Sequence, residues 1–447
     1  MTEGDVISAI ATASGRAAIG IVRLSGPRLS RFMQPLFGRS IAPRSVVLTD
    51  FLDSSGRALD TGIALFFPGP RSFTGEDVLE LQAHGGPALL QALLRRCITL
   101  GARVAQPGEF SKRAFLNGKL DLAQAEGIAD LIEATSEAAA RAAMRSLKGE
   151  FSQEIVALVS ELTALRSRVE ASIDFPEEDT PILHQDRWVA RDLQGLQNRL
   201  TAIQMRSASG SLLREGVQIV LIGLPNVGKS SLLNRLAGDE VAIVTEVPGT
   251  TRDIVRSQVL LDGMTIQLID TAGLRETRDP VEKLGIERTR KAVQDADLLL
   301  LIDDAGRANR LDEDWNLAEI PANTRRIRVL NKIDLAGRHP VRRERGAYTE
   351  VEVSAKTGAG VELLRSAILE AAGRLPEIEG VFLARERHLD ALARAGTHLQ
   401  NAKSSLHQLD LAAEDLRIAQ QALSEITGEF TADDLLGEIF SKFCIGK

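Results

Sequence analysis

Gly223-Leu224-Pro225-Asn226-Val227-Gly228-Lys229-Ser230 decides the fold class of this 447-residue chain. The pattern G-x-x-x-x-G-K-S sits between the apolar run Val217-Gln218-Ile219-Val220-Leu221-Ile222 and the run Ser231-Leu232-Leu233-Asn234-Arg235-Leu236. A buried strand, a glycine-rich turn and a helix are expected in that order. Backbone N–H groups of such a turn curl around an anion, and the helix N-terminus adds its dipole. Val227, Gly228, Lys229, Ser230 and Ser231 are therefore candidate nucleotide contacts. Lys229 would reach the β- and γ-phosphates, and the Ser230 hydroxyl would bind Mg²⁺.

The chain supplies further boxes in order. Asp270-Thr271-Ala272-Gly273 follows the strand pattern Met264 to Ile269, so that Asp270 can hold the Mg²⁺ shell and the Gly273 N–H the γ-phosphate. Asn331-Lys332-Ile333-Asp334 follows Arg328-Val329-Leu330. The Asp334 carboxylate can accept from both N1–H and the 2-amino group of guanine, a pair of donors adenine lacks, so the box selects GTP. Ser354-Ala355-Lys356 follows Glu350-Val351-Glu352-Val353 and is placed to touch the guanine O6 through backbone. Each box lies at the end of a strand pattern, as a phosphate-binding α/β domain requires.

Hydrolysis needs a group that orients water. The position after Gly273 where a glutamine would serve holds Leu274 instead. Glu282, shortly downstream, is a candidate to hold the water directly or through a second water. From the sequence alone, a solvated glutamate at a helix start is the favoured reading of this residue. Arg252 and Arg275 are candidates for charge stabilisation or plain surface arginines. Gly249-Thr250-Thr251-Arg252-Asp253 reads as the mobile switch, with Thr251 completing the Mg²⁺ shell.

Asn226, the Gly-Thr-Thr-Arg-Asp box and Asp270 to Arg275 together resemble the potassium-activated GTPases of the translation-factor-related class. That resemblance implies K⁺ held by Asn226 and by Thr245, Val247 and Thr250 of the loop before the switch. A cation about 4 Å from developing negative charge contributes about 4 kcal/mol at an effective dielectric of 20, part of what an arginine finger supplies.

The flanks are of a different character. Ile19 to Leu24, Ile63 to Phe67 and Val78 to Gln82 read as strands, and Pro87 to Leu100 as a helix ended by Gly101. From about Leu120 the pattern turns helical. Ile155, Leu158, Leu162, Leu165, Val169 and Ile173 recur at spacings of three and four, as do Leu193, Leu196, Leu200 and Ile203. After the nucleotide domain, Leu389, Leu392, Leu399, Leu406 and Leu409 read as another stripe. Residues 173–181 form a proline-bounded acidic break.

The expected architecture is α/β plus all-α. An α+β domain over 1–118 is followed by a helical bundle built from 119–212 and 376–447, with a Ras-like P-loop domain inserted at 213–375. A net charge of −7 argues against strong nucleic-acid binding by the chain as a whole. Two cysteines and the lack of a signal-like or long apolar stretch point to the cytoplasm.

Beyond the nucleotide domain, Ile21 to Gly26, Phe73-Thr74-Gly75-Glu76-Asp77, Glu80 to Gly86, Gly108-Glu109-Phe110-Ser111, Arg113 to Glu126 and Phe443-Cys444-Ile445-Gly446-Lys447 resemble the MnmE (TrmE) family of tRNA modification GTPases. The resemblance implies a tetrahydrofolate derivative, 5,10-methylene- or 5-formyl-, held by Arg23, Glu80, Lys119 and Lys447. These residue types suit the ligand: the glutamate tail is anionic, and the pterin offers adjacent donors to a carboxylate. It implies a part for Cys444 in modification chemistry, whereas Cys97 in an apolar run reads as a packed small hydrophobe. It also implies a homodimer through the N-terminal domain, GTP-dependent dimerisation of the G domain, and a flavoprotein partner, MnmG (GidA), in a heterotetramer. The product would be a carboxymethylaminomethyl-type group at C5 of the wobble uridine of tRNA. The competing reading is a regulatory GTPase of ribosome assembly. It predicts an appended basic RNA-binding domain, which the leucine-striped C-terminal flank does not resemble.

Overall fold

The computed structural model describes residues 4–174, 182–224, 226–237, 255–261, 264–270, 293–294, 296–306, 324–346, 348–371, 380–429, 433–441, 443 and 446. The chain divides into two compact units. The first comprises Met1–Glu133, Ala143–Gln204 and Arg387–Lys447; the second comprises Ala134–Ala142 and Met205–Glu386.

The first unit begins with strands β1 (Val6–Ile10), β2 (Ile19–Gly26), β3 (Val47–Leu52), β4 (Ala58–Phe67), β5 (Asp77–His84) and β6 (Ala102–Val104). They form one sheet in the order β3-β4-β5-β2-β1-β6. Only β1 and β6 pair in parallel. Alternation along β2 sends Val22 and Leu24 to one face, where they pack with Phe32 and Leu36 of helix α1 (Ser30–Phe37) and Leu90 and Leu93 of α2 (Pro87–Thr99). Gly20 of β2 lets α2 approach, because a Cβ there would lie 2.4 Å from a Leu90 methyl. Cys97 is fully buried in this layer, and burial pushes its thiol up to about 12, so it acts as a small hydrophobe. The opposite face buries Ile7 and Ala9 against Phe110 of α3 (Glu109–Leu116).

Helices α4 (Leu122–Glu133), α5 (Glu137–Leu147), α6 (Glu150–Asp174) and α7 (Ile182–Glu215) follow. The expected stripes are core. Ile155, Leu158, Leu162, Leu165 and Val169 of α6, and Leu193, Leu196, Leu200 and Ile203 of α7, are all buried, while Ile173 near the end of α6 is half-buried.

The second unit holds β7 (Val217–Gly223), α8 (Lys229–Ala237), β8 (Val255–Leu261), β9 (Met264–Asp270), β10 (Leu298–Asp304), β11 (Arg325–Asn331), α9 (Ile333–Ala336), β12 (Val341–Glu344), β13 (Thr349–Glu352) and α10 (Val361–Ala371). The sheet order is β12-β13-β11-β10-β7-β9-β8. Its centre is parallel, and β8 and β12 close the two edges antiparallel. Both faces of β7 are covered. Ile219 and Leu221 belong to one apolar cluster, and Val220 and Ile222 to another. This is why the strand reads as a continuous apolar run rather than an alternating one.

The chain then returns to the first unit with α11 (Glu386–Ser404), α12 (Leu409–Thr427) and α13 (Asp433–Ser441). The leucine stripe expected here needs correction. It runs through the turn between α11 and α12, so Leu392 and Leu399 are buried but Leu389, Leu406 and Leu409 are only half-buried. The face of α12 that packs is Ala412, Leu416, Ala419, Leu423 and Ile426.

A buried ionic knot joins helices from either side of the inserted segment. Glu126 of α4 is 1% exposed and receives Arg387 Nη2 at 2.5 Å and Nε at 2.8 Å. His388 Nε2 lies 2.9 Å from the same carboxylate. Arg387 also donates to the Glu425 and Ile426 carbonyls at the end of α12. Burial pushes the Glu126 carboxyl up, but His388 and Arg387 outweigh it and hold the group well below its usual range. Among the described residues, no helix is long and apolar enough to cross a membrane.

Candidate functional site

Strand order reverses at β7, whose neighbours are β10 on one side and β9 on the other. In an open α/β sheet the crevice beyond the strand carboxyl ends at such a point is where ligands bind. Gly223, Asp304 and Asn331 are the last residues of β7, β10 and β11, and all come to this edge.

The turn between β7 and α8 is shaped by its backbone. Asn226 has φ 64° and Gly228 φ 95°. A side chain at Gly228 would also be blocked, because a Cβ there would lie 2.4 Å from Asn331 Nδ2. Asn226 and Ser230 are exposed, Val227 is buried and Lys229 is half-buried. The Lys229 ammonium is folded back on its own turn, donating to the Gly223 carbonyl at 2.8 Å and the Leu224 carbonyl at 3.4 Å. Those neutral acceptors are weak partners for an ammonium compared with a phosphate oxygen.

Asn331 is 2% exposed and ties three segments together. Its Nδ2 donates to the Val227 carbonyl at 2.8 Å, and its Oδ1 accepts from the Lys332 N–H at 2.8 Å and the Ala355 N–H at 3.0 Å. Lys332 is held in the left-handed region at φ 65°, which costs a non-glycine residue about 1–2 kcal/mol. Its ammonium reaches Asp304 at 2.9 Å. Asp334 is exposed; one carboxylate oxygen accepts from Ser354 Oγ at 2.7 Å, and the other has no partner among the described residues. The structure thus brings Val227, Gly228, Lys229, Asn331, Lys332, Asp334, Ser354, Ala355 and Lys356 to one edge.

Asp304 is a member that sequence reasoning missed. Its signal was the carboxylate pair Asp303-Asp304 ending the apolar run of β10 at the switch edge. Asp303 is engaged differently, by Arg328 at 3.0 Å, with both side chains largely buried.

Thr245, Val247, Thr250, Thr251, Thr271, Ala272, Gly273, Glu282, Cys444 and Lys447 lie outside the described residues, as do Arg252, Leu274 and Arg275. Asp270 ends β9, but its side chain is likewise outside.

In the first unit, Arg23 and Glu80 are register partners on β2 and β5, on the sheet face opposite Val22. Arg23 Nε donates to Glu80 Oε1 at 2.8 Å, and Nη1 reaches the Gly446 carbonyl at 3.4 Å. The guanidinium stands 5.8 Å from the Phe110 ring centroid. The second Glu80 oxygen has no partner among the described residues, so a carboxylate acceptor and guanidinium donors stand side by side. That donor set fits a pterin with an anionic tail. Lys119 is exposed and packs its stem near Gly75; none of its described contacts ties it to Arg23 or Glu80.

Beside this pair lies an ionic cluster. Arg113 is 6% exposed and bonds Asp5 at 2.7 Å, Glu109 at 3.0 Å and Glu76 at 3.1 Å. Arg103 bonds Asp5 and Glu109, each at 2.5 Å. Burial pushes the Glu109 carboxyl up, but Arg103, the Gln106 N–H and Arg113 hold it below its usual range.

Known proteins are similar to this chain along nearly its whole length. A family described as "GTP-binding protein TrmE N-terminus" matches residues 6–119, and one described as "MnmE helical domain" matches residues 122–444. The tRNA modification GTPase MnmE of Chromobacterium violaceum is 54% identical over 442 residues, 99% of this chain and 98% of that protein. The chain belongs to the MnmE family of tRNA modification GTPases. The MnmE proteins of Thiobacillus denitrificans, 55% identical over 99% of this chain and 98% of their own, and of Nitrosomonas eutropha, 54% identical over all of both, are similar along their length. The MnmE fold is thus an N-terminal α+β domain, a helical bundle drawn from both flanks and a Ras-like G domain between them.

Proposed function

We propose that this chain hydrolyses GTP to drive the folate-dependent addition of a carboxymethylaminomethyl-type group to C5 of the tRNA wobble uridine, working in the cytoplasm with the flavoprotein MnmG. The observation that carries the reading is the Asn331 side chain. It joins the Val227 carbonyl of the phosphate turn to the Ala355 N–H of the base loop, with Asp334 beside it offering an oxygen that has no partner among the described residues. A guanine seated there gives N1–H and its 2-amino group to Asp334 and takes a loop N–H at O6. Adenine offers neither.

Lys229 exchanges its two carbonyls for phosphate oxygens. The Ser231 N–H lies in the first turn of α8, where backbone donors and the helix dipole favour an anion. Ser230, Thr251 and Asp270 are the residues for Mg²⁺, which spreads the charge of the transferring phosphoryl group. Asn226, Thr245, Val247 and Thr250 are the residues for K⁺, which supplies positive charge where another GTPase would insert an arginine. Thr271, Ala272 and Gly273 line the γ-phosphate. Glu282 takes the place of the missing glutamine and orients the water that attacks the γ-phosphorus, with GDP leaving. G-domain dimerisation closes this arrangement.

Arg23, Glu80, Lys119 and Lys447 bind the tetrahydrofolate, which supplies the one-carbon unit. Cys444 acts in the modification chemistry. The N-terminal domains of two copies pair, and MnmG completes a heterotetramer.

Nucleoside mass spectrometry of tRNA from cells lacking the chain tests the reading. Loss of the C5-aminomethyl uridines, restored by the wild-type gene, is expected. An unchanged nucleoside profile would exclude it.

A further inference from the structure

We propose that Arg235 is a positioning residue for the guanine base, acting through the peptide that joins Ala355 to Lys356. The inference rests on the reading of this edge as a GTP site. Arg235 lies on α8, six residues beyond Lys229, or about 9 Å along the helix axis. Its Nε donates to the Ala355 carbonyl at 3.2 Å, and its Nη2 to the Lys356 carbonyl at 2.7 Å. One planar fork therefore fixes two successive peptide planes of the loop.

The consequence follows from peptide geometry. In a trans peptide the C=O and the next N–H point in opposite directions. Arg235 draws the Ala355 carbonyl toward α8, and this turns the Lys356 N–H away from α8. That N–H makes no hydrogen bond among the described residues, whereas the neighbouring Ala355 N–H is already given to Asn331. The Lys356 N–H is thus the loop donor left for the guanine O6.

The second carbonyl leads to the carboxylate. The Thr357 N–H belongs to the peptide whose carbonyl Arg235 holds, and it donates to Ser354 Oγ at 3.2 Å. Ser354 Oγ in turn donates to Asp334 Oδ1 at 2.7 Å. The helix that begins at the phosphates therefore also sets the loop that reads the base.

The test uses GDP and the diphosphate of 2-aminopurine riboside, which keeps the 2-amino group but lacks O6 and, with it, the N1–H. Their affinities are measured by competition with a fluorescent GDP on the full chain, for the wild type, Arg235→Ala and Arg235→Lys. Arg235→Ala is expected to weaken GDP about fivefold, the net value of the one neutral loop N–H bond to O6 that is no longer aimed, and to weaken the O6-less analogue less than about twofold. Arg235→Lys is expected to recover part of the GDP affinity. Equal losses for both ligands, or no loss for GDP, would overturn the proposal. Failure of the wild type to bind GDP would instead overturn the reading of the site. Thermal melting without nucleotide separates a folding defect, and Arg235→Lys then carries the comparison.

Discussion

The buried ionic framework of the first unit and the ligand-facing polar groups at the strand edge of the second are arranged on opposite principles. In the first, Arg113, Arg103, Asp5, Glu76 and Glu109 satisfy one another, and Glu126 is saturated by Arg387 and His388. In the second, and among the described residues, Lys229 has only carbonyl partners, one Asp334 oxygen has none, and the Lys356 N–H is likewise unengaged. Buried charge paired to charge holds elements together, and removing one partner is costly. Polar groups left on weak partners at a strand edge are poised to exchange them for a ligand. Arg23 and Glu80 lie between these cases: they pair with each other, yet each keeps unused hydrogen-bonding capacity.

Substitutions can break this contrast from either side. The largest effect is expected at Lys229. Lys229→Ala should lower GTP affinity at least about a hundredfold, because the ammonium meets two phosphates in a partly desolvated site, while thermal stability stays nearly constant. Fluorescent-nucleotide titration beside a melting curve reads both.

Glu126→Gln should do the reverse, costing about 3 kcal/mol of stability with nucleotide affinity little changed. Its pH dependence has a definite sign. The Glu126 carboxyl is depressed in the folded chain from its ordinary 4.5, so its stabilisation is complete above that value and is lost as pH falls toward the folded value. Urea unfolding of wild type and Glu126→Gln at several pH values should show the difference between them shrinking below about pH 4.5. A difference that stays constant with pH would remove Glu126 from this role.

A smaller effect is expected at Arg23. Arg23→Ala should weaken 5-formyltetrahydrofolate about tenfold in equilibrium dialysis, the value of one charge-assisted hydrogen bond to an anionic ligand. No change would return the Arg23–Glu80 pair to the framework.

The nucleotide edge was legible in the sequence because each of its boxes is contiguous and ends a strand. The turn at 223–230, the Asn331 to Asp334 box and the Ser354 to Lys356 loop could be read one at a time and then placed by strand order. Much of the framework was not legible, because the partners that tie it across the fold are remote in sequence. Glu126 and Arg387 are 261 positions apart, and Arg23 and Gly446 are 423 apart. Nothing local to Glu126 distinguishes it from a solvated glutamate on a helix. Arg235 was hidden for the same reason, since a basic residue near a helix end is ordinary until the loop it grips is in view. The leucine stripe from 389 to 409 misled in a different way: its spacing continued across a turn, while the true core face of α12 alternates Leu416, Leu423 and Ile426 with alanines, which periodicity weighs lightly.

The central claim is that nucleotide and one-carbon ligand are held by different units through different residues. Calorimetric titration of one preparation of Lys229→Ala with GDP and with 5-formyltetrahydrofolate, against the wild type, tests it most directly. The account predicts that the variant loses GDP binding and keeps the folate affinity of the wild type. Loss of folate binding together with GDP, or retention of GDP, would contradict it.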